Sequence, residues 1–216
     1  MKKNIPSSPP RPSLVYLFVS YFLVFPIYRI LFRGRTSGNC NVPTTGSLVV
    51  VANHGSHLDP PFLGHALSRP VAFMAKEELF SIPILSFIIR ACGAYPVSRG
   101  ASDREAIRTA TARLKEGCAT GVFLDGTRQE NGRVNTPMAG AALLAARTDS
   151  KILPVAIINS QKALRKGFSL PRLVPIHIRI GQPISPPASR RKTDLEETTQ
   201  HLKLSINSMI DQGLIR

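Results

Sequence analysis

The chain has 216 residues, of which 43% are hydrophobic and 6% aromatic, and its formal net charge at pH 7 is +15. This length fits one domain with a substantial core, and the ordinary apolar fraction excludes a protein that spans a membrane many times. Tryptophan is absent and aromatic residues are few, so the chain is poorly supplied for stacking nucleic-acid bases.

The positive charge lies at the two ends of the sequence. Residues 1–36 carry six lysines and arginines and no acidic residue, residues 37–150 carry eleven against nine acidic residues, and residues 151–216 carry eleven against four. Basic ends suit an anionic surface, and a basic segment that also contains a long apolar run favours lipid over nucleic acid. We therefore expect an anionic membrane surface as a partner, and no nucleic acid.

Residues 1–36 are predicted to be a membrane-associating segment ahead of a globular domain over residues 37–216. Residues 13–28 are uncharged and mostly apolar, but they fall short of the roughly 20 residues that a spanning helix needs, and Pro26 would bend the helix. Basic residues flank both sides, so the charge asymmetry that sets an orientation is missing. A helix that dips into one leaflet is favoured over a complete span. The alternatives are a secretory signal, for which no cleavage site follows, and a buried core helix.

The rest of the chain alternates between short β-branched runs and helical segments. This alternation predicts an α/β fold in which a mostly parallel central sheet is flanked by helices. The predicted strands are 47–52, 71–75, 93–97, 121–124, 152–158 and 176–180, and the predicted helices are 59–67, 84–91, 102–116, 136–147 and 193–212. Active residues in such sheets cluster beyond the carboxyl ends of the strands. Two polar motifs occupy that position, after strands 47–52 and 121–124.

The first polar motif covers residues 53–59. Asp59 stands before two prolines, which predicts the N-cap of a helix, and this would bring His54 close to the helix start. A carboxylate that holds one imidazole nitrogen leaves the other nitrogen to accept a proton near pH 7. The chain has no GxSxG motif, so a base without a protein nucleophile implies direct attack by the acceptor's own hydroxyl.

Two alternatives to a catalytic pair stay open for the first motif. Asp59 would cap a helix in any protein, whatever the role of His54. A metal cluster of His54, His57 and Asp59 is the second, but the spacing is loose and no further ligand is evident, so no metal is expected. Three cysteines without a CxxC pair predict neither a disulfide framework nor a zinc ribbon.

The second polar motif follows strand 121–124. Gly126, Thr127 and Arg128 offer backbone N–H groups, a hydroxyl and a guanidinium, a combination that suits a phosphate or another anion. An ordinary Asp-Gly turn with a solvated arginine accounts for the same residues equally well.

Five sequence blocks, these two motifs among them, occur in order along the chain. They are N-H-x-S-x-x-D at 53–59, G-x5-R at Gly93 and Arg99, Phe-Leu-Asp-Gly-Thr-Arg at 123–128, Leu-Pro-Val at 153–155 and Ile-Gly-Gln-Pro-Ile at 180–184. Over residues 38–184 the chain therefore resembles the lysophosphatidate (1-acylglycerol-3-phosphate) acyltransferase family, the PlsC-like glycerolipid acyltransferases. It departs from that family's F-P-E-G-T-R block at Leu124 and Asp125, and Met138-Ala139 replaces a basic pair.

The resemblance implies a reaction. A fatty acyl chain would move from acyl-CoA or acyl-carrier protein, used as co-substrate, to the sn-2 hydroxyl of 1-acylglycerol-3-phosphate, giving phosphatidic acid in phospholipid biosynthesis. No metal or bound cofactor is implied. The enzyme would be membrane-associated, with its active site on the cytoplasmic side and a lysophospholipid as acceptor. Because the departures lie where acceptor contacts are expected, another lysolipid such as a lyso-ornithine lipid is an alternative. A non-catalytic, basic membrane-binding protein is a third.

The resemblance also implies residue roles. His54 would remove the proton of the acceptor hydroxyl, and Asp59 would fix the imidazole. Asp125, one methylene shorter than the family's glutamate, would orient Arg128 or the acceptor's glycerol hydroxyl. The residues expected to hold the anionic headgroup are Arg99, Gly126, Thr127 and Arg128.

Overall fold

The computed structural model describes residues 12–97, 103–164 and 170–214. Within these ranges, seven strands form one sheet in the order β1-β7-β6-β2-β5-β3-β4. Neighbouring strands are parallel except β6 and β7, which are antiparallel. The strands are β1 Arg35–Ser37, β2 Leu48–Ala52, β3 Val71–Lys76, β4 Tyr95–Val97, β5 Ala119–Phe123, β6 Lys151–Ile158 and β7 His177–Ile180. The predicted α/β class with a mostly parallel sheet is confirmed.

Helices cover both faces of the sheet. They are α1 Leu14–Phe18, α2 Asp59–Ala66, α3 Pro83–Ala91, α4 Asp103–Lys115, α5 Gly140–Thr148, α6 Ser160–Ala163 and α7 Lys192–Asp211. Successive residues of a strand point to opposite faces, so the wholly buried β2 supplies two cores. Leu48 and Val50 pack with Phe62 of α2, whereas Val49 packs on the other face with Leu144 of α5 and the apolar side of α7.

The N-terminal helix, Leu14–Leu31, lies along α2. It begins as α1 and continues through Pro26 in π-helical turns, and by length and composition it is apolar enough to cross a membrane. Only 17% of its residues are buried. Three polar contacts join it to the domain: Tyr16 Oη donates to Gly64 O at 3.0 Å, Ser20 Oγ lies 2.9 Å from His65 Nδ1, and Tyr28 Oη donates to Arg35 O at 2.6 Å.

Several elements differ from the sequence-based expectation: β1 and α6 are absent from it, β4 begins at Tyr95 rather than residue 93, and β5 begins at Ala119 rather than residue 121. Strand β5 ends at Phe123, one residue before the predicted end, and Leu124 lies in the turn that follows. Helix α5 begins at Gly140 rather than near residue 136. The reason is a long-range contact: the Thr136 N–H donates to the Asp125 carboxylate at 2.6 Å, which holds the chain in an irregular loop up to the helix start.

Candidate active site

The two polar motifs meet because β2 and β5 are adjacent and parallel. Ala52 pairs with Phe123 at the carboxyl ends of the two strands, so the segments that follow leave the sheet side by side. Backbone bonds join them: Leu124 N donates to Ala52 O at 2.9 Å, and Gln129 N donates to His54 O at 2.8 Å. We call residues 53–59 the His54 loop and residues 125–136 the Arg128 loop.

The predicted pair of His54 and Asp59 is present. His54 Nδ1 lies 2.8 Å from Asp59 Oδ2, with the aspartate side chain fully buried and the histidine side chain 16% exposed. A carboxylate oxygen accepts hydrogen bonds, so the imidazole donates through Nδ1–H and its Nε2 carries the lone pair. This tautomer is the one that accepts a proton at Nε2.

Asp59 does not cap its helix, contrary to the sequence-based expectation. Leu58 is the N-cap residue, and Asp59 is the first residue of α2. The Asp59 carboxylate turns back along the chain, where Oδ2 accepts from the backbone N–H groups of Gly55 at 2.7 Å and Ser56 at 2.9 Å. One oxygen therefore binds both the turn and the imidazole, which fixes the position of His54 relative to the backbone.

Asn53 is a structural residue of the site to which the sequence motif assigned no role. Its fully buried amide donates to Gly132 O at 2.7 Å and to Ile157 O at 2.8 Å, and its Oδ1 accepts from Ile157 N at 2.8 Å. The side chain thus joins the end of β2 to β6 and to the Arg128 loop. The position of Asn53 directly before His54 could have suggested a role at the site. Its hydrogen-bond partners could not be predicted, because they lie 79 and 104 residues away in the sequence.

An aromatic ring lies against the imidazole of His54. The rings of His54 and Phe123 are stacked, with centroids 3.9 Å apart and an interplanar angle of 13°. From the sequence, Phe123 is only a motif residue with no assigned contact. Phe73 of β3 stacks on Phe123 in turn, with centroids 5.7 Å apart.

The near end of the Arg128 loop is open. Gly126 and Thr127 are exposed and Arg128 is half-buried. Gly126 has φ +66°, a left-handed conformation that glycine adopts without strain, and its N–H closes the turn onto Phe123 O at 2.9 Å. Within the described part of the chain, Arg128 forms no hydrogen bond or ion pair. Its guanidinium is therefore available to an anion.

The Asp125 carboxylate binds backbone N–H groups at the other end of the Arg128 loop. The sequence predicts that it orients Arg128 or a substrate hydroxyl, whereas its carboxylate accepts from the backbone N–H groups of Asn135 at 3.1 Å and Thr136 at 2.6 Å. The residue is 6% exposed. Burial raises the pKa of the Asp125 carboxyl above its usual value, and the two N–H bonds oppose the rise. These contacts give Asp125 a structural role at the far end of the Arg128 loop.

Helix α7 also holds that far end, a contact that the sequence did not reveal. The Asn207 amide exchanges two hydrogen bonds of 3.0 Å with the backbone of Val134. Arg133 forms an ion pair with Asp211, and Lys203 Nζ donates to Asn135 O at 2.8 Å. The Arg128 loop is thus anchored at one end and open at the other.

Arg99, the second arginine expected at the headgroup, lies outside the described residues. Across residues 12–97, 103–164 and 170–214, no group of three or more His, Cys, Asp or Glu side chains is placed to hold a metal ion.

Comparison with known proteins places these features in a wider group. A sequence profile of the family described as Acyltransferase matches residues 33–158. The 1-acyl-sn-glycerol-3-phosphate acyltransferase of Borreliella burgdorferi is 23% identical over 83% of this chain and 69% of that protein. The chloroplastic LPAT1 of Arabidopsis thaliana, of the same description, is 29% identical over 67% of this chain. The Streptococcus pneumoniae protein of that description is 34% identical over 58%.

The chain spans only 40% of the Arabidopsis protein and 50% of the Streptococcus protein. A crystal structure of the 1-acyl-sn-glycerophosphate (LPA) acyltransferase PlsC from Thermotoga maritima has the same fold. It matches with a TM-score of 0.73 and 24% identity over 93% of this chain and 88% of that one.

Proposed function

The chain belongs to the Acyltransferase family, and we propose that it moves a fatty acyl chain from acyl-CoA or acyl-carrier protein to the sn-2 hydroxyl of 1-acylglycerol-3-phosphate. The observation that carries the proposal is the contact of 2.8 Å between His54 Nδ1 and the buried Asp59 carboxylate. It gives a histidine whose Nε2 is free to act as a base.

The proposed reaction uses this geometry. Nε2 of His54 removes the proton from the acceptor hydroxyl while that oxygen attacks the thioester carbonyl carbon. A C–O bond forms, the C–S bond breaks, and the imidazolium returns its proton to the departing thiolate. The Asp59 carboxylate stabilises the imidazolium and holds the ring in place. General base catalysis of this kind is typically worth about 10²–10⁴-fold in rate.

The acceptor headgroup is assigned to the open end of the Arg128 loop. A phosphate monoester carries nearly two negative charges at pH 7 and presents several acceptor oxygens. The Arg128 guanidinium, which has no partner among the described residues, offers two parallel N–H donors. The exposed Thr127 adds a hydroxyl, and Gly126 lets the backbone approach closely. Arg99 would supply the second guanidinium. The descriptions of the relatives, which are all 1-acyl-sn-glycerol-3-phosphate acyltransferases, support the same acceptor.

Membrane association is assigned to the N-terminal helix. Its outward face is strongly apolar, with Leu14, Phe18 and Phe22 all more than half exposed. Its inward face is hydrogen-bonded to α2 and β1 from Tyr16 to Tyr28. A helix tied along the domain cannot cross a bilayer without drawing α2 into the hydrocarbon, so it would lie in one leaflet, on the cytoplasmic side where the thioester donors occur.

The acyltransferase activity is tested by thiol release. The protein is mixed with acyl-CoA or acyl-carrier protein and with lysophosphatidate, lyso-ornithine lipid or a lysolipid without a phosphate monoester. We expect thiol release to be fastest with lysophosphatidate and to give phosphatidic acid. Preference for lyso-ornithine lipid would keep the chemistry and change the acceptor. Absence of release with every acceptor would favour a non-catalytic membrane-binding protein.

Membrane binding is tested by substituting Leu14, Phe18 and Phe22 together with serine. Deletion of residues 1–36 would be a poorer test, because it removes part of β1. The triple variant should sediment less with vesicles of anionic phospholipid, and Leu204→Ser, at an exposed leucine of α7, is the matched control. Unchanged sedimentation of the triple variant would show that attachment lies elsewhere.

A further inference from the structure

The imidazole of His54 lies flat on the phenyl ring of Phe123. The two planes are within 13° of parallel and the centroids are 3.9 Å apart, which is direct van der Waals contact over the ring faces. The Asp59 carboxylate binds the edge of the same imidazole at Nδ1. The base is therefore held by two different contacts, one at its edge and one on its face.

The contact on the face has a consequence for the reaction. The face of a phenyl ring carries partial negative charge, and a cation placed over it is attracted. His54 becomes a cation at the moment when it takes the acceptor's proton. Phe123 thus interacts more strongly with the protonated than with the neutral imidazole, and an interaction of this kind raises the rate of the chemical step.

The phenyl ring of Phe123 is itself held in place by a second phenyl ring. Phe73 of β3 stacks on Phe123 at an interplanar angle of 20°, and Phe73 occupies the space above Gly121 of β5. A Cβ atom at Gly121 would lie 2.1 Å from the Phe73 ring, so only glycine leaves room for it. Two strands thus build a stack of two phenyl rings that ends at the imidazole.

We propose that Phe123 is a positioning residue for His54, which holds the imidazole plane by stacking and stabilises its protonated form through the negative face of the ring. This inference rests on the role of His54 as the base in the proposed function. It adds a residue that acts through the imidazole of His54, and it assigns Phe73 and Gly121 to the support of that residue.

The test compares Phe123→Leu, which keeps an apolar side chain but removes the ring face, with Phe123→Tyr, which keeps the face. Phe32→Leu is the matched control, since Phe32 is a buried phenylalanine packed on Phe62 away from the site. Each variant is measured for kcat/KM against pH and for the pH titration of the His54 ring resonance by NMR without substrate. His54→Ala identifies the resonance.

Phe123→Leu should lower the plateau of kcat/KM roughly 2- to 30-fold, the range that corresponds to a cation–π contact. Its acidic limb and the midpoint of the NMR titration should both move to lower pH, because the ring face attracts the protonated imidazole and not the neutral one. Phe123→Tyr and Phe32→Leu should leave both midpoints in place. Phe123→Leu and Phe32→Leu leave unchanged the charged and titratable side chains of the two loops around the imidazole, and Phe123→Tyr adds only a phenol to them. These side chains are His57, Asp59, Asp125, Arg128, Glu130 and Arg133.

Three results would overturn the inference. One is an unchanged midpoint in Phe123→Leu with unchanged kcat/KM. Another is a lower plateau with an unchanged midpoint, which would mean a packing role alone. The third is an equal loss in Phe123→Tyr. Absence of acyl transfer by the wild type would contradict the proposed function instead, and the NMR titration would still report on the stack.

Discussion

The two loops at the carboxyl edge of the sheet are built in opposite ways. In the His54 loop the buried side chains of Ser56 and Asp59 bond within the loop, and Asn53 bonds to β6 and to Gly132 of the Arg128 loop, so that Nε2 of His54 is left for proton transfer in the proposed reaction. In the Arg128 loop the far end is anchored by Asp125 and α7, while Gly126 and Thr127 are exposed. Proton transfer requires a fixed geometry, whereas recognition of an anion requires donors that the protein has left unbonded.

Replacing His54, the proposed base, tests the His54 loop most directly. His54→Ala should lower acyl transfer by about 10²–10⁴-fold. Its melting temperature should stay close to that of the wild type, because the ring is partly exposed and Asp59 keeps its two backbone donors. His201→Ala, at an exposed histidine of α7, is the matched control. Near-normal turnover in His54→Ala would remove the assigned mechanism.

Asp59→Asn tests whether the charge of the His54 loop matters as well as its shape. An amide oxygen still accepts a hydrogen bond, but it cannot stabilise an imidazolium by charge, so we expect a rate loss of about 10²–10³-fold, within the range of base catalysis. Because Asp59 holds the Gly55 and Ser56 N–H groups, stability should also fall, by about 1–3 kcal/mol.

The control for that substitution is Asp149→Asn. Asp149 ends α5 with φ +52°, a conformation in which asparagine is well tolerated. If Asp59→Asn lost stability while its activity per folded molecule stayed normal, Asp59 would serve the loop alone.

Arg128→Lys tests the open end of the Arg128 loop. Lysine keeps the charge but not the two parallel N–H donors, so kcat/KM for lysophosphatidate should fall about ten- to a hundredfold. The loss should lie mainly in the acceptor KM, with the donor KM nearly unchanged. Arg147→Lys on the surface of α5 should be neutral. If only the donor KM changed, Arg128 would be assigned to binding the carrier of the acyl donor instead of the acceptor headgroup.

Contacts between residues that are close in the sequence could be predicted. The apolar run of β2 and the spacing from His54 to Asp59 are enough to predict a strand, a turn and a histidine–carboxylate pair, because five residues across a turn leave few other arrangements. Even there the direction of Asp59 was predicted wrongly. An aspartate before two prolines is typical of an N-cap, and the competing donors at Gly55 and Ser56 do not show in the sequence.

Contacts between residues that are far apart in the sequence could not be predicted. The bonds of Asn53 to Ile157 and of Asp125 to Thr136 depend on the register of three strands and on the path of an irregular loop. Neither follows from the periodicity of the sequence. The stacking of Phe123 on His54 depends likewise on the pairing of β2 with β5. The motif match pointed to these residues, but their physical roles required the fold.

The smallest expected effect concerns the anchored end of the Arg128 loop. Burial raises the pKa of Asp125 in the folded protein, so the folded state binds the proton more tightly than the unfolded state does. The stability from this difference is fully present below the unfolded value of about 3.9, and it is lost as pH rises through the folded pKa.

Asp125→Asn keeps an acceptor for Thr136 N–H and cannot ionise. The melting temperature of the wild type minus that of Asp125→Asn should therefore fall as pH rises from about 4 towards 7. Asp125→Ala, which leaves both N–H groups unbonded, should be less stable than Asp125→Asn by about 1 kcal/mol at every pH. A difference that rises with pH would mean that the backbone N–H groups outweigh burial and favour the charged carboxylate. Acyl transfer by Asp125→Asn should stay within a few-fold of the wild type, because the side chain faces residues 135 and 136; a hundredfold loss would return Asp125 to the substrate.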